Sequence, residues 1–419
     1  MLEKNNVLQL LKKLYNEHLY AMSLYARQIA GTIVLLLVVR FLSVYDYGLF
    51  ASYNNIITFY LLFANPGLSE YILVSSQNRI KEIQLKIGIF ILYSILVSGL
   101  IYTGSNFVPL ESHLIFILVL IRSYLDNTQP CIMFSYFQAS KKFNLVSYIN
   151  LFYSLMTIAI AIICYYFKLS LIKFLSLGIL LGLINIIQYS YHAKINYLLV
   201  IKNFKRLIKQ IDKSIFIYAG TSLTFFAYNK LPGLYVATFI KKEDAALFFA
   251  AFAISNIITI LLGAQYQKMI PEMINAATLQ IKKIIKDNLI FMMSINIILL
   301  TSLAIAGKFI LHLLYSKDYY LNAYPFLILL VCGNIAISYA SVYGAYLTAS
   351  GHQDVKLKVM LKASIITIIV LLATHHYGIY AAIFSYIISA TFMSIVYKMH
   401  GEYFLKIQVE HEGGKYFAK

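Results

Sequence analysis

An all-α integral membrane protein of about twelve transmembrane helices, with both termini on the cytoplasmic side, is predicted by three features of the sequence. Hydrophobic residues make up 60% of the 419 residues and charged residues 12%, with a mean hydropathy of +0.74; soluble domains hold roughly half and a quarter. The apolar residues are gathered into stretches of the roughly 20 residues that cross about 30 Å of hydrocarbon. Lys and Arg, the source of the formal charge of +18, cluster in alternate connections between those stretches. In a soluble chain such a charge invites nucleic acid. Its placement here makes it a topology signal, and no nucleic-acid partner is expected.

Taken in order, residues 1–19 lack the compact apolar core and small-residue cleavage site of a signal peptide. Val7, Leu8, Leu11, Leu14, Tyr15 and Leu19 instead recur at helical spacing opposite Lys12 and Lys13, which predicts an amphipathic helix lying on the inner leaflet. Spans follow at 20–42, 49–75, 87–107, 113–137, 145–167 and 171–193, an N-terminal six-helix bundle over 20–193. The stretch 194–213 carries Lys194, Lys202, Lys205, Arg206, Lys209 and Lys213 and reads as a basic cytoplasmic linker. Further spans at 214–240, 245–269, 289–314, 324–349, 357–373 and 377–399 form a C-terminal six-helix bundle over 214–399, and 400–419 is a cytoplasmic tail.

With the N-terminus inside, inner connections hold groups such as Arg79, Lys81 and Lys86, Lys282, Lys283 and Lys286, or Lys356, Lys358 and Lys362. Outer ones hold only Arg40, Lys168, Lys241, Lys242 and Lys317, with Lys308 near its helix end. The outer connections are short, as at 106–112, 168–170 and 375–376, which argues against an extracytoplasmic catalytic domain. Asp46-Tyr47-Gly48-Leu49-Phe50 between the first two spans is echoed by Asp244-Ala245-Ala246-Leu247-Phe248 between the seventh and eighth. Duplicated halves of six spans each would be parallel repeats with a substrate path between them.

Four charges stand out well inside predicted spans: Arg27, Arg122, Asp126 and Lys230. Each costs roughly 2.5 to 3.5 kcal/mol at mid-helix on insertion scales and therefore turns to the bundle interior or to a wet cavity. Arg27 lies near the cytoplasmic end, where it either snorkels to the headgroups or binds an anion. Arg122 and Asp126 share one helix face. They form either a self-contained ion pair, or a phosphate ligand with Asp126 as its partner or as a proton acceptor, the candidate for ion coupling. Lys230 follows Asn229 and precedes Pro232-Gly233, a pair that frees backbone groups and permits a hinge. Pro66-Gly67 and Pro130 are further candidates for kinks or hinges. The intramembrane set is net cationic, which suits an anionic substrate.

Cys131, Cys164 and Cys332 lie in apolar stretches, too far apart for a disulfide framework or a zinc site, and read as small core residues. His375-His376 has no carboxylate or cysteine beside it, and no phosphate-loop, dinucleotide or metalloprotease motif occurs. Neither a cofactor nor a metal is expected, nor is an enzyme.

The arrangement resembles the polysaccharide-transporter family, the Wzx-type O-antigen flippases of the superfamily that also holds multidrug extruders and lipid II flippases. The resemblance covers nearly the whole chain. It is carried by Phe41-Leu42-Ser43-Val44-Tyr45-Asp46-Tyr47-Gly48-Leu49-Phe50, by Asn65-Pro66-Gly67-Leu68, and by Ala246-Leu247-Phe248 through Ile254-Ser255-Asn256. Leu314-Tyr315-Ser316-Lys317-Asp318-Tyr319 and Ala349-Ser350-Gly351-His352 add to it. The end of the seventh span departs from the family's more acidic pattern and reads Ala227-Tyr228-Asn229-Lys230-Leu231-Pro232-Gly233.

Such a resemblance implies two six-helix bundles around a central cavity that opens alternately to each side of a bacterial inner membrane. It implies an oligosaccharide joined through pyrophosphate to undecaprenol as substrate. Arg27, Arg122 and Lys230 would hold the pyrophosphate, uncharged polar groups such as Asn229 would accommodate sugars, and a polysaccharide polymerase and chain-length regulator would be partners. A multidrug exporter of the same fold, and a membrane polymerase or glycosyltransferase, are the alternatives.

Overall fold

The computed structural model describes residues 23, 26–27, 29–65, 80–105, 111–140, 142–194, 202, 214–274 and 276–417. The expected interfacial helix over 1–19, Pro66 and Gly67, and the linker apart from Lys194 and Lys202 lie outside them. Every regular element among the described residues is helical, as backbone surrounded by hydrocarbon requires. The first group comprises α1 (Ile29–Phe41), α2 (Val44–Leu61), α3 (Ile80–Ser105), α4 (His113–Ser123), α5 (Gln129–Ala139), α6 (Phe143–Tyr166) and α7 (Leu171–Ala193). A π-helical turn, Tyr124–Thr128, joins α4 to α5 without a break. The second comprises α8 (Ser214–Phe239), α9 (Lys242–Ile274), α10 (Thr278–Tyr315), α11 (Tyr324–Ala349), α12 (Gln353–Thr374) and α13 (Ile379–Phe417).

Seven stretches among the described residues are long and apolar enough to cross a membrane. Their outward faces are apolar as well: Ile305 is 83% exposed, Leu372 71% and Ile187 66%. A surface so rich in exposed aliphatic side chains belongs against lipid rather than water. The chain is an all-α, multi-pass membrane protein.

It divides into two compact units, Met1–Leu223 and Thr224–Lys419. In the first, α2 and α7 pack on α4, α3 on α5, and α6 on α7. In the second, α11 is the hub, touching α9, α10 and α13, while α12 packs on α13. Burial follows that order: 56% of the α11 span is enclosed, against 17% of the α10 span. Polar groups at the hub bond to one another, with Asn334 Nδ2 donating to Ser255 O at 2.9 Å and Tyr386 donating to Asn334 Oδ1 at 2.5 Å. Only glycine fits at position 333, since a Cβ there would lie 2.6 Å from the Tyr386 ring.

The two echoed segments occupy equivalent places. Ser43 caps α2, accepting from the Asp46 N–H at 3.0 Å and donating to its carboxylate at 2.7 Å, a satisfied N-terminal turn with its acid at the positive end of the helix. α9 likewise carries Glu243 and Asp244 in its first turn. Both acidic turns lead straight into a buried run, Tyr47–Ala51 and Ala245–Ala251.

One expectation needs correction. Cys131 is exposed rather than in a core, whereas Cys164 is buried and Cys332 half-buried; the α5 face that carries Cys131 is turned away from the packed side holding Ile132, Met133, Tyr136 and Phe137. The helical elements also outrun several predicted spans. α10 starts at Thr278, ahead of the span predicted from 289, and α13 continues to Phe417, so the stretch described after 399 is helical. At the start of α10, Ile281, Ile285 and Asn288 are buried while Lys282, Lys283, Lys286 and Asp287 are exposed. That amphipathic pattern sustains a helix outside the hydrocarbon, where an average of hydropathy reports nothing.

Candidate anion-binding site in the first unit

The site begins with a proline. Pro130 has no N–H to give to the carbonyl four residues earlier, that of Asp126, and its ring crowds that carbonyl. The helix answers by widening into the π turn, in which the Gln129 N–H reaches back to Tyr124 O; single π turns of this kind are often found at functional sites. The Asp126 carbonyl accepts instead from Arg27 Nη2, at 2.5 Å. Arg27 Nη1 donates to Asn150 Oδ1 of α6 at 3.1 Å, and that oxygen also accepts from the Tyr189 hydroxyl of α7 at 3.3 Å. The Arg27 guanidinium sits 5.2 Å from the ring centroid of Tyr153.

The Asp126 carboxylate is bound on both oxygens. Tyr153 donates to Oδ1 at 2.5 Å and Arg122 Nε to Oδ2 at 3.3 Å. The guanidinium carbon of Arg122 lies 4.2 Å from the ring centroid of Phe174 on α7, an aromatic face that favours a cation. α7 makes room with small residues: a Cβ on Gly178 would come within 2.8 Å of Arg122 Nε, and one on Gly182 within 2.8 Å of Leu125 Cβ.

These groups surround a cavity of about 320 Å³. Val34, Leu35, Val38 and Phe50 supply apolar wall, and Asn127, Ser154 and Thr157 supply polar groups. Two guanidinium groups face one carboxylate, leaving a unit of positive charge. Arg122 is 9% exposed, and its Nη1 is buried without a hydrogen-bond partner among the described residues. A buried donor left unmet is costly. An anion entering the cavity would balance the excess charge.

The structure therefore gathers Arg27, Arg122 and Asp126, three of the residues singled out by charge, into one cluster. Arg27 is turned into the bundle and bonded to partners on two other helices, not extended towards headgroups. Asn150, Tyr153, Phe174, Gly178 and Tyr189 were not anticipated. The signal for Gly178 and Gly182 was available: two small residues four apart on one face allow another helix to approach closely. Asn229 and Lys230 stand half-buried on α8 in the second unit, and their side chains make no hydrogen bond or ion pair among the described residues. α8 runs unbroken through Pro232 and Gly233, both buried.

Neither a protein-family model nor a curated protein matches this sequence. Solved structures do. The chain is similar to the lipid II flippase MurJ in an inward closed conformation, with TM-score 0.73 and 14% identity over 92% of this chain and 87% of that one. It is similar to an inward-facing multidrug resistance MATE family transporter of the MOP superfamily, with TM-score 0.67 and 10% identity over 92% and 96%. A MATE transporter of Vibrio cholerae, VcmN in its bent form, matches with TM-score 0.58 and 12% identity over 96% and 97%. At these identities it is the fold alone that is shared.

Proposed function

We propose that this chain is a flippase that carries an undecaprenyl-pyrophosphate-linked oligosaccharide, an O-antigen or capsule repeat unit, from the inner to the outer leaflet of a bacterial cytoplasmic membrane by alternating access. The observation that carries the reading is the cavity lined by two guanidinium-bearing residues, Arg27 and Arg122, against a single carboxylate, Asp126. Guanidinium groups hold phosphate oxygens well because their donors are fixed in a plane. A pyrophosphate with attached sugars cannot cross hydrocarbon unaided, since each unmet polar group there costs several kcal/mol. The membrane potential assists outward movement of an anion by about 2.3 kcal/mol per charge per 100 mV.

In this reading the chain has about twelve spans, with both termini cytoplasmic, and acts without chemistry of its own. Lys230 and Asn229 serve the same substrate from the second unit, with Pro66-Gly67 and Pro232-Gly233 as hinges and Asp126 as the carboxylate, among the described residues, that carries a coupling ion. A polysaccharide polymerase and a chain-length regulator would receive the product. The likeness to a multidrug MATE transporter favours a second reading, export of a soluble compound by the same fold.

The test is direct. Cells lacking the protein should accumulate lipid-linked repeat units on the inner leaflet, cured by the parent gene and not by Arg122→Ala. Purified protein in liposomes should move a fluorescent polyprenyl-pyrophosphate sugar between leaflets. Extension of the sugar in that assay would identify an enzyme, and export of cationic dyes without movement of the glycolipid would identify a multidrug exporter.

A further inference from the structure

A second cavity, about 680 Å³, lies wholly within the second unit, between the start of α10 and the last turns of α13. Lys282 and Lys286 of α10 and Lys406 of α13 rim it, while Ile285, Leu289 and Leu405 form apolar wall. Its one acid, Glu402, is spoken for by Lys398 at 3.8 Å. Among the described residues, Lys282, Lys286 and Lys406 make no ion pair. The Tyr343 ring of α11 also lines the cleft and lies against α13 only because position 401 is glycine, where a Cβ would meet that ring at 2.6 Å.

Position along the helices decides what fits. α10 has 38 residues, about 57 Å at 1.5 Å per residue, well beyond the hydrocarbon thickness of about 30 Å. From Leu289 to Tyr315 its only Lys, Arg, Asp or Glu is Lys308. The Lys-rich turns that precede Leu289 therefore sit at headgroup depth, and the apolar wall descends from them into the acyl region. Three ammonium groups above an aliphatic wall match an amphiphile with a negative head. Basic pockets between membrane helices are known to take anionic headgroups.

We infer that the cleft between α10 and α13 is a binding site for an anionic phospholipid, its phosphate held by Lys282, Lys286 and Lys406 and its upper acyl chains on Ile285, Leu289 and Leu405. The site is separate from the Arg27–Arg122 cavity, and the inference stands whatever the protein transports.

The test uses the full chain, purified in detergent and mixed with phosphatidylglycerol or, as control, phosphatidylcholine, with retained lipid counted by native mass spectrometry. The parent should retain phosphatidylglycerol in preference. The triple variant Lys282→Gln, Lys286→Gln, Lys406→Gln should lose that preference by at least about fivefold, the factor one lysine near an anionic lipid surface is worth. The corresponding triple arginine variant should keep it, which separates loss of charge from misfolding. Equal retention by the glutamine variant, or no preference in the parent, would overturn the proposal. So would displacement of the lipid by millimolar inorganic phosphate alone, since that would mark a site for the free anion.

Discussion

Arg122 is held by three kinds of contact at once: a carboxylate on Nε, an aromatic face beneath its plane, and glycine backbone where any side chain would push it aside. The two glycines beside it should therefore fail differently. Gly178→Ala puts a methyl against the movable end of Arg122; transport should fall at least about tenfold, equivalent to roughly 1.4 kcal/mol, while thermal stability stays near the parent's. Gly182→Ala presses on Leu125 Cβ, which cannot swing away, so it should lower the unfolding temperature instead. A transport assay and a melting curve on each variant check this, and the reverse pattern would contradict the geometry. Asp126→Asn leaves two guanidinium groups facing a neutral amide. Breaking a buried pair by removing one partner costs about 3 to 5 kcal/mol, so this variant should insert but unfold much earlier, and an added phosphate-bearing ligand should raise its melting temperature more than the parent's. The charged members of this cluster were legible in the sequence because an ionised side chain inside an apolar span is conspicuous. Tyr153, Tyr189 and Asn150 were not: among 36 tyrosines, nothing local marks the two that close a network across three helices.

At the scale of the element, the helix that matters most is the α4–α5 pair with its π turn. Pro130 costs an interior helix about 3 kcal/mol and frees the carbonyl that Arg27 takes. Pro130→Ala should restore an N–H to that carbonyl and relax the turn towards α-helix, so the variant should be more heat-stable than the parent yet transport poorly. A variant both stable and fully active would show that the Arg27 contact is dispensable. The cap on α2 offers a calibration away from the site: Ser43→Ala should cost about 1 kcal/mol of stability and leave substrate affinity unchanged. Helix positions were readable because a run of apolar residues must be helical in lipid; α7 and α11 coincide with their predicted ranges. The π turn was not readable as such, for Pro130 announced a disturbance but not which carbonyl it would free or which donor would fill the gap. Nor were the extensions of α10 and α13, where amphipathic packing rather than hydropathy sustains the helix.

For a molecule that spans a membrane, the question at the largest scale is which end faces the cytoplasm, and the second unit brings its connections together in a way that can be tested. Tyr235 on α8 donates to His375 O at the end of α12, and Tyr315 at the end of α10 donates to Ala250 O in α9. The connections after α8, α10 and α12 therefore share one end of this unit. Tyr397 of α13 donates to Lys356 O at the start of α12, so the start of α12 and the late turns of α13 share the other. The first end carries Lys241, Lys242 and Lys317; the second carries Lys282, Lys283, Lys286, Lys356, Lys358, Lys362, Lys398 and Lys406. Because Lys and Arg are retained on the side of synthesis, the second end should be cytoplasmic, and with it the C-terminus. The check is cysteine labelling in a background with Cys131, Cys164 and Cys332 changed to serine, using His376→Cys and Lys283→Cys, both exposed positions. A maleimide that cannot cross the membrane should label His376→Cys in intact cells and Lys283→Cys only after permeabilisation. Labelling in the opposite order would invert the unit and set the lysine-rimmed lipid cleft in the outer leaflet.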